Sequence, residues 1–283
     1  MTRLRIVAVT SLAMLAFAGN SLLCRLALKL TSIDPASFTT IRLMAGAATL
    51  WLIVRSTRRA QDGRGNWPSA IALFAYAAGF SFAYTLLNAA TGALLLFGAV
   101  QATMISYGTW MGERLRPGQI TGLALAIGGL VVLLLPGLSA PPLKASLLML
   151  GAGIAWAVYS LRGRGTGDPT KVTAGNFLRA VPMAIALSLL MHESISFDVT
   201  GIWYAVMSGA VTSGIGYAIW YTALPALKAT HAATVQLSVP VIAALGGILI
   251  LSEDLTLRVA GASVAILGGI ALVILQKKVA KQS

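Results

Sequence analysis

Apolar runs of membrane-spanning length leave a chain few ways to fold, because backbone polar groups inside lipid must be satisfied within the segment itself. Ten such runs follow one another here, at about 5–24, 35–55, 67–88, 92–111, 117–135, 144–162, 172–190, 200–222, 229–251 and 257–276. Each approaches the roughly 20 residues a helix needs to cross the hydrocarbon core. Apolar residues make up 57 % of the 283 and charged residues 10 %, against roughly 25 % charged in soluble domains. The expectation is an all-α integral membrane protein of ten transmembrane helices. Little chain is left for a soluble domain, so the function must lie within the bilayer or at its faces.

The net charge of +13 would suggest a nucleic-acid partner in a soluble protein, but its distribution assigns it to topology. With both termini cytoplasmic, fifteen of the twenty-one cations, from Arg3 and Arg5 to Lys277, Lys278 and Lys281, fall on cytoplasmic segments. Four face the other side (Arg25, Lys29, Lys144 and Arg258), and Arg42 and Arg179 lie inside helices. This is the positive-inside pattern of a multi-pass protein in the cytoplasmic (inner) membrane, with no nucleic acid implied. Arg3, Arg5 and Ala16-Phe17-Ala18 could also read as a cleaved signal. Against cleavage, Phe17 stands eight residues before Arg25 as Trp156 stands eight before Arg164, so the first segment has a partner later in the chain. The lone Cys24 allows no intrachain disulfide.

That correspondence is general. Glu113 and Glu253 lie 140 positions apart, each ends an apolar run, and each is followed at fifteen and sixteen residues by Gly-Gly. The chain reads as one five-segment unit written twice, over 1–138 and 139–283, and an odd number of segments makes the copies face opposite ways. Arg42 in Thr-Ile-Arg-Leu and Arg179 in Phe-Leu-Arg-Ala fit the same duplication, each about seven residues into its helix. Inverted repeats let secondary transporters present one midplane site to either side in turn. Ala124 with Gly128 and Ala265 with Gly269 have small-xxx-small spacing, which packs helices closely in lipid. The partner could be a neighbouring helix or a second protomer, so monomer and homodimer both stay open.

The chemistry of the ten runs is mainly neutral. Every Asp and Glu falls in a loop or at a helix end, which argues against an acidic proton relay at membrane depth. No G-x-x-x-x-G-K-[ST] loop is present, and His192 and His231 with one Cys are too few for a metal site. The chain is therefore expected to be no enzyme and to carry no metal or cofactor. Arg42 and Arg179 must offset the cost of a charge inside a helix, as structural arginines or as anchors for a substrate anion. His231 begins segment nine and could titrate in a cavity. Asn20, Gln101 and Gln236 are neutral polar groups that would bond neighbouring helices or face water.

Aromatics suggest the substrate chemistry. Tyr76, Phe80 and Tyr84 form an i, i+4, i+8 stripe on segment three, Tyr217 with Tyr221 forms a matching one on segment eight, and Trp156 and Tyr159 share a face of segment six, with Tyr107 on segment four. Such stripes pack cores, and they also suit stacking on a flat solute. Pro240, in Ser-Val-Pro-Val-Ile near the middle of segment nine, could kink that helix and help gate.

Ten segments, Trp156 with Arg164, Leu-Ser-Val-Pro-Val-Ile at 237–242 and Gly-Glu-Arg-Leu at 112–115 resemble the EamA branch of the drug/metabolite transporter superfamily over essentially the whole chain. Two features depart from it: Phe17 stands where the family often has tryptophan, and Val100-Gln101 where the second half has Pro240-Val241. The resemblance implies a central cavity lined by segments three, four, eight and nine with help from one and six, while five and ten are peripheral. The chain looks like a YddG-type exporter of aromatic amino acids. The expected activity is secondary export of small amphipathic metabolites, aromatic or other neutral amino acids, by alternating access. A multidrug or nucleotide-sugar carrier on the same fold, and a membrane-embedded enzyme or scaffold, are the alternatives.

Overall fold

The computed structural model describes residues 3–56, 63–112, 115–137, 140–163, 167–223, 227 and 235–279. Among them are ten helices and no strand: α1 (Arg3–Leu30), α2 (Pro35–Ser56), α3 (Trp67–Tyr84), α4 (Ala89–Trp110), α5 (Pro117–Leu134), α6 (Leu143–Arg162), α7 (Pro169–Leu190), α8 (Val199–Ala223), α9 (Ser238–Leu251) and α10 (Leu257–Val279). Eight are long and apolar enough to cross a membrane, and α3 and α9 are the two outside that set.

Local chemistry sets the helix starts. Asp34 and Asp168 each stand before a proline and accept from backbone N–H groups two and three residues on, Ala36 and Ser37 in one case (both 2.9 Å) and Thr170 and Lys171 in the other (2.9 and 3.1 Å). A side-chain acceptor at the cap with proline at the first helical position is a strong start signal. Asn66, Asn88 and Asp198 cap α3, α4 and α8 in the same way. The cap at Asn88 explains why α3 stops at Tyr84 rather than near 88: its Oδ1 accepts from Thr91 N at 2.9 Å. In the other direction α1 runs through Arg25 and Lys29, whose charged ends bond Glu253 and the carbonyl of Leu251.

Helix α8 is not uniform. Residues Ser208–Ile215 form a π-helical stretch between two α-helical pieces. Its glycines let α2 come close: a Cβ on Gly209 would meet the carbonyl oxygen of Arg42, and one on Gly214 would stand 2.9 Å from Thr49. Wide turns of this kind are frequent at functional sites.

The packing pairs fall into matched sets. Helix α2 packs on α7, α4 on α9 and α5 on α10; α3 with α6 has a counterpart in α1 with α8, α4 with α6 in α1 with α9, and α3 with α7 in α2 with α8. Helices α5 and α10 meet through Gly122, Ala126 and Gly129 on one side and Ala265 and Gly269 on the other. The Ala124–Gly128 face of α5 points outward, away from α10, with nothing of this chain within 4 Å of a Cβ on Gly128. Trp51, Trp67, Trp110 and Trp203 are exposed near helix ends, as interfacial tryptophans are.

Candidate functional site

A cavity of about 420 Å³, counted out to its open mouth, lies among α1, α3, α4, α6, α8 and the segment before α9. Six of the residues expected to touch substrate line it: Asn20, Tyr76, Phe80, Trp156, Tyr217 and Gln236. Phe17, Ser21, Leu96, Phe97, Thr212 and Ser213 complete the wall.

The rings form one connected group. Trp156 lies 4.8 Å from Tyr76 and 5.3 Å from Tyr217, centroid to centroid, and Tyr217 lies 5.8 Å from Phe17 and 5.9 Å from Phe177. Tyr76 continues to Phe80 at 5.4 Å, and Phe80 to Tyr84 at 4.7 Å. Each such pair contributes about 0.5–1.5 kcal/mol beyond burial, so the rings hold their positions without a ligand and present a preformed apolar slot.

A polar chain runs along one side of this slot. Ser208 Oγ and Thr212 Oγ1, both on the π-helical stretch, donate to Asn20 Oδ1 at 2.7 and 3.2 Å. Asn20 Nδ2 donates to Tyr76 Oη at 3.3 Å, and Arg42 Nη2 donates to the same oxygen at 3.3 Å. Arg42 Nε reaches Ser213 Oγ at 3.4 Å. Arg42 as a whole is 2 % exposed, and its guanidinium carbon lies 5.4 Å from the Tyr76 centroid and 5.1 Å from that of Phe80. Cation–π attraction of about 0.5–2 kcal/mol offsets part of the roughly 2.5–3.5 kcal/mol that a central arginine costs on insertion scales.

The two helix-embedded arginines are not equivalents. Counted from the caps, Arg42 stands eight residues after Asp34 and Arg179 eleven after Asp168, so Asn176 occupies the depth of Arg42. Three residues turn a helix nearly a full turn and move it along the axis. Arg179 accordingly lies at the edge of the bundle, with Nη1 donating to the carbonyls of Arg64 (2.6 Å) and Gly175 (2.8 Å). It takes no part in the cavity wall.

Several expected site residues lie away from the cavity wall. Tyr84 is buried against Gly92, with its hydroxyl directed at the carbonyl of Ala89 at 3.5 Å. Tyr159 sits behind Trp156 and donates to Thr173 Oγ1 at 3.4 Å. Gln101 is buried on α4 beyond the lining residues, and Tyr107 is 41 % exposed beside Trp110. Pro240 stands just after a break in segment nine: residues 235 and 236 are helical, Leu237 is a turn, and α9 resumes at Ser238. A proline lacks the N–H of a continuous helix, and a break one turn before it is where that loss is absorbed. His231, like Glu113 and Arg164, lies outside the described residues.

The missed residues are Phe17 and Ser21 on α1, Leu96 and Phe97 on α4, and the hydroxyls of α8. Ser208, Thr212 and Ser213 had a readable signal, three hydroxyls and two glycines in the middle of an apolar run.

Comparison with known proteins fits this arrangement. Residues 143–275 match the EamA-like transporter family, and 271 residues are 56 % identical to an uncharacterized protein of Pseudomonas aeruginosa, covering 95 % of this chain and 94 % of that one. The chain belongs to the EamA-like transporter family. Membership in that family makes it a multi-pass membrane transporter rather than an enzyme. Two more distant relatives carry names: a probable amino-acid metabolite efflux pump of Escherichia coli, 26 % identical over 62 % of this chain and 66 % of its own length, and the aromatic amino acid exporter YddG of Ancylobacter novellus, 32 % identical over 38 % and 40 %. One crystal structure shares the fold over 97 % of this chain and 99 % of its own, with a TM-score of 0.68 at 22 % identity.

Proposed function

We propose that this EamA-like protein is a secondary exporter of small amphipathic metabolites, aromatic or other neutral amino acids, acting in the cytoplasmic membrane with both termini cytoplasmic. The observation that carries the reading is the cavity itself, a slot of rings from Phe17, Tyr76, Trp156 and Tyr217 edged by neutral hydrogen-bonding groups. Rings stack on a flat side group, while the amides and hydroxyls hold a polar end. The names of the E. coli and A. novellus relatives support the same class of solute.

The alternating-access part rests on two inverted five-helix repeats, 1–138 and 139–283. The matched packing pairs support it, since each is preserved when α1–α5 are exchanged for α6–α10. The family match over 143–275, which spans one five-helix half, supports it too. Among the described residues no Asp, Glu or His lines the cavity, which favours facilitated diffusion over proton antiport. A nucleotide-sugar carrier needs a cluster of cations at the site, and among the described residues only Arg42 adjoins this one.

Flux of L-phenylalanine and L-tryptophan into proteoliposomes, with and without a pH gradient, tests the proposal. Saturable flux without the gradient is the expected result. Flux no greater than in protein-free vesicles removes the transport reading; flux that needs the gradient and vanishes in His231→Ala removes the facilitator version.

A further inference from the structure

Arg42 places a positive charge beside the cavity that no described residue neutralises. The six described carboxylates, Asp34, Asp168, Glu193, Asp198, Glu253 and Asp254, all stand at helix ends or in loops, and the ion pair recorded among them joins Glu253 to Arg25. What Arg42 touches is neutral: Tyr76 Oη and Ser213 Oγ at 3.3 and 3.4 Å, with Nη1 buried and without a hydrogen-bond partner. Those two hydroxyl residues, and the Phe80 ring beneath the guanidinium, are cavity residues. Arg179 stands in a different setting, away from the cavity, with both Nη1 hydrogens on backbone carbonyls at 2.6 and 2.8 Å. Arg42 keeps one donor nitrogen, Nη1, without a partner, and it stands directly behind the Tyr76, Phe80 and Ser213 side chains that form the wall of the slot.

We propose that Arg42 recognises a carboxylate on the transported solute, so that the cavity selects flat amphipathic acids and zwitterions and rejects amines and cationic drugs of the same shape. The proposal rests on the amphipathic-solute reading above and names the charge that the solute must carry. A guanidinium is always charged and offers paired N–H donors at the spacing of the two carboxylate oxygens, so this bond is directional as well as electrostatic. The apolar body then lies among Tyr76, Trp156 and Tyr217. An α-amino group is left to the neutral acceptors of Asn20, Ser208 and Thr212, which makes it dispensable.

The test is equilibrium binding to the purified full chain, with transport in proteoliposomes alongside, for four probes of one shape: L-phenylalanine, 3-phenylpropanoate, L-phenylalaninamide and phenethylamine. The two acids should bind at least tenfold more tightly than the amide and the amine. Arg42→Gln should remove that preference by weakening the acids alone, and Arg42→Lys should restore part of it. The ligand-free melting temperature should change little in Arg42→Gln, because the loss of the Tyr76 and Ser213 bonds and the ring contacts is offset by removing a buried charge that no described carboxylate pairs. Equal affinity of all four probes for the wild-type protein overturns the proposal while leaving the transport reading intact, and so does an Arg42→Gln protein that keeps the acid preference. If no probe binds or moves, the transport reading fails and this proposal with it. Should Arg42→Gln not fold, its loss of structure marks Arg42 as structural only when the wild-type protein shows no acid preference; a tenfold preference in the wild type sustains the proposal.

Discussion

Arg25 Nε donates to Glu253 Oε1 at 2.8 Å, joining α1 to the turn between α9 and α10. The same two side chains hold the turn between α3 and α4: Arg25 Nη1 donates to the carbonyls of Tyr84 and Thr85, and Glu253 Oε2 accepts from Ala89 N at 2.7 Å. One ion pair thus ties three parts of the bundle at one end of the cavity. Its members are 12 % and 7 % exposed, between the surface pairs that contribute under about 1 kcal/mol and the buried ones whose breakage costs about 3–5 kcal/mol. Glu253→Gln should cost about 1–3 kcal/mol by that interpolation. It should also speed labelling of the buried Cys24 by a membrane-impermeant thiol reagent by roughly tenfold, a population shift of about 1.4 kcal/mol. Melting and labelling of Arg25→Gln, Glu253→Gln and the double variant check this, and purely additive effects would show that the pair is not coupled.

The α5–α10 contact makes a second prediction, because two glycines of α5 six residues apart have opposite surroundings. A Cβ on Gly122 would stand 2.5 Å from the carbonyl oxygen of Gly269, while nothing lies within 4 Å of one on Gly128. Gly122→Ala should destabilise by about 1–3 kcal/mol through overpacking. Gly128→Ala should leave stability unchanged or raise it by up to about 1 kcal/mol through helix propensity. Thermal melts of the two variants in detergent give the comparison, and equal losses would mean that the outward face of α5 is buried in an oligomer.

The contrast between Gly122 and Gly128 shows where the sequence was legible and where it was not. Apolar length and cap chemistry such as Asp34-Pro35 and Asp168-Pro169 act within a few residues of themselves, so helix number and most starts could be read directly. The rotation of a helix about its axis is a tertiary property, and in lipid neither face is marked by polarity. The small-residue face of α5 was therefore placed on Ala124 and Gly128 instead of Gly122 and Gly129, and Tyr84 and Tyr107 were placed in the cavity with Tyr76. Arg42 and Arg179 were paired by local sequence similarity, although their distances from the caps differ by three residues. The π-helical stretch at Ser208–Ile215 is set by the approach of α2 to α8, which no local pattern encodes.

Phe17 and Trp156 both face Tyr217, at 5.8 and 5.3 Å, so ring size at position 17 should set the width of the slot. Phe17→Trp should favour smaller solutes: transport of L-threonine or L-alanine relative to L-tryptophan should rise several-fold, with little change in melting temperature. Trp156→Ala, which removes contacts to Tyr76, Tyr159 and Tyr217, should lower stability by about 3–5 kcal/mol, as large-to-small core changes do. It should also abolish the aromatic preference. An unchanged ratio in Phe17→Trp would place the selectivity elsewhere in the cavity.

Asn20 offers a way to change the charge of the slot without touching Arg42. Its Oδ1 accepts from Ser208 and Thr212, and its Nδ2 meets Tyr76 Oη, the oxygen that Arg42 also reaches. In Asn20→Asp the carboxylate keeps both acceptor bonds and stands one hydroxyl away from the guanidinium, so it supplies the counter-charge from within the protein. Acid probes should then bind roughly tenfold more weakly, which is about 1.4 kcal/mol, while phenethylamine gains and the empty protein melts no lower than wild type. Asn20→Ala should behave differently. It leaves the buried Ser208 hydroxyl without its acceptor, while Thr212 keeps the Ser208 carbonyl at 2.6 Å, at a cost of about 1–3 kcal/mol, and weakens all probes alike. If Asn20→Asp also weakens acid, amide and amine equally, the residue matters through its shape and hydrogen bonds, and the charge of the slot is not what discriminates among solutes.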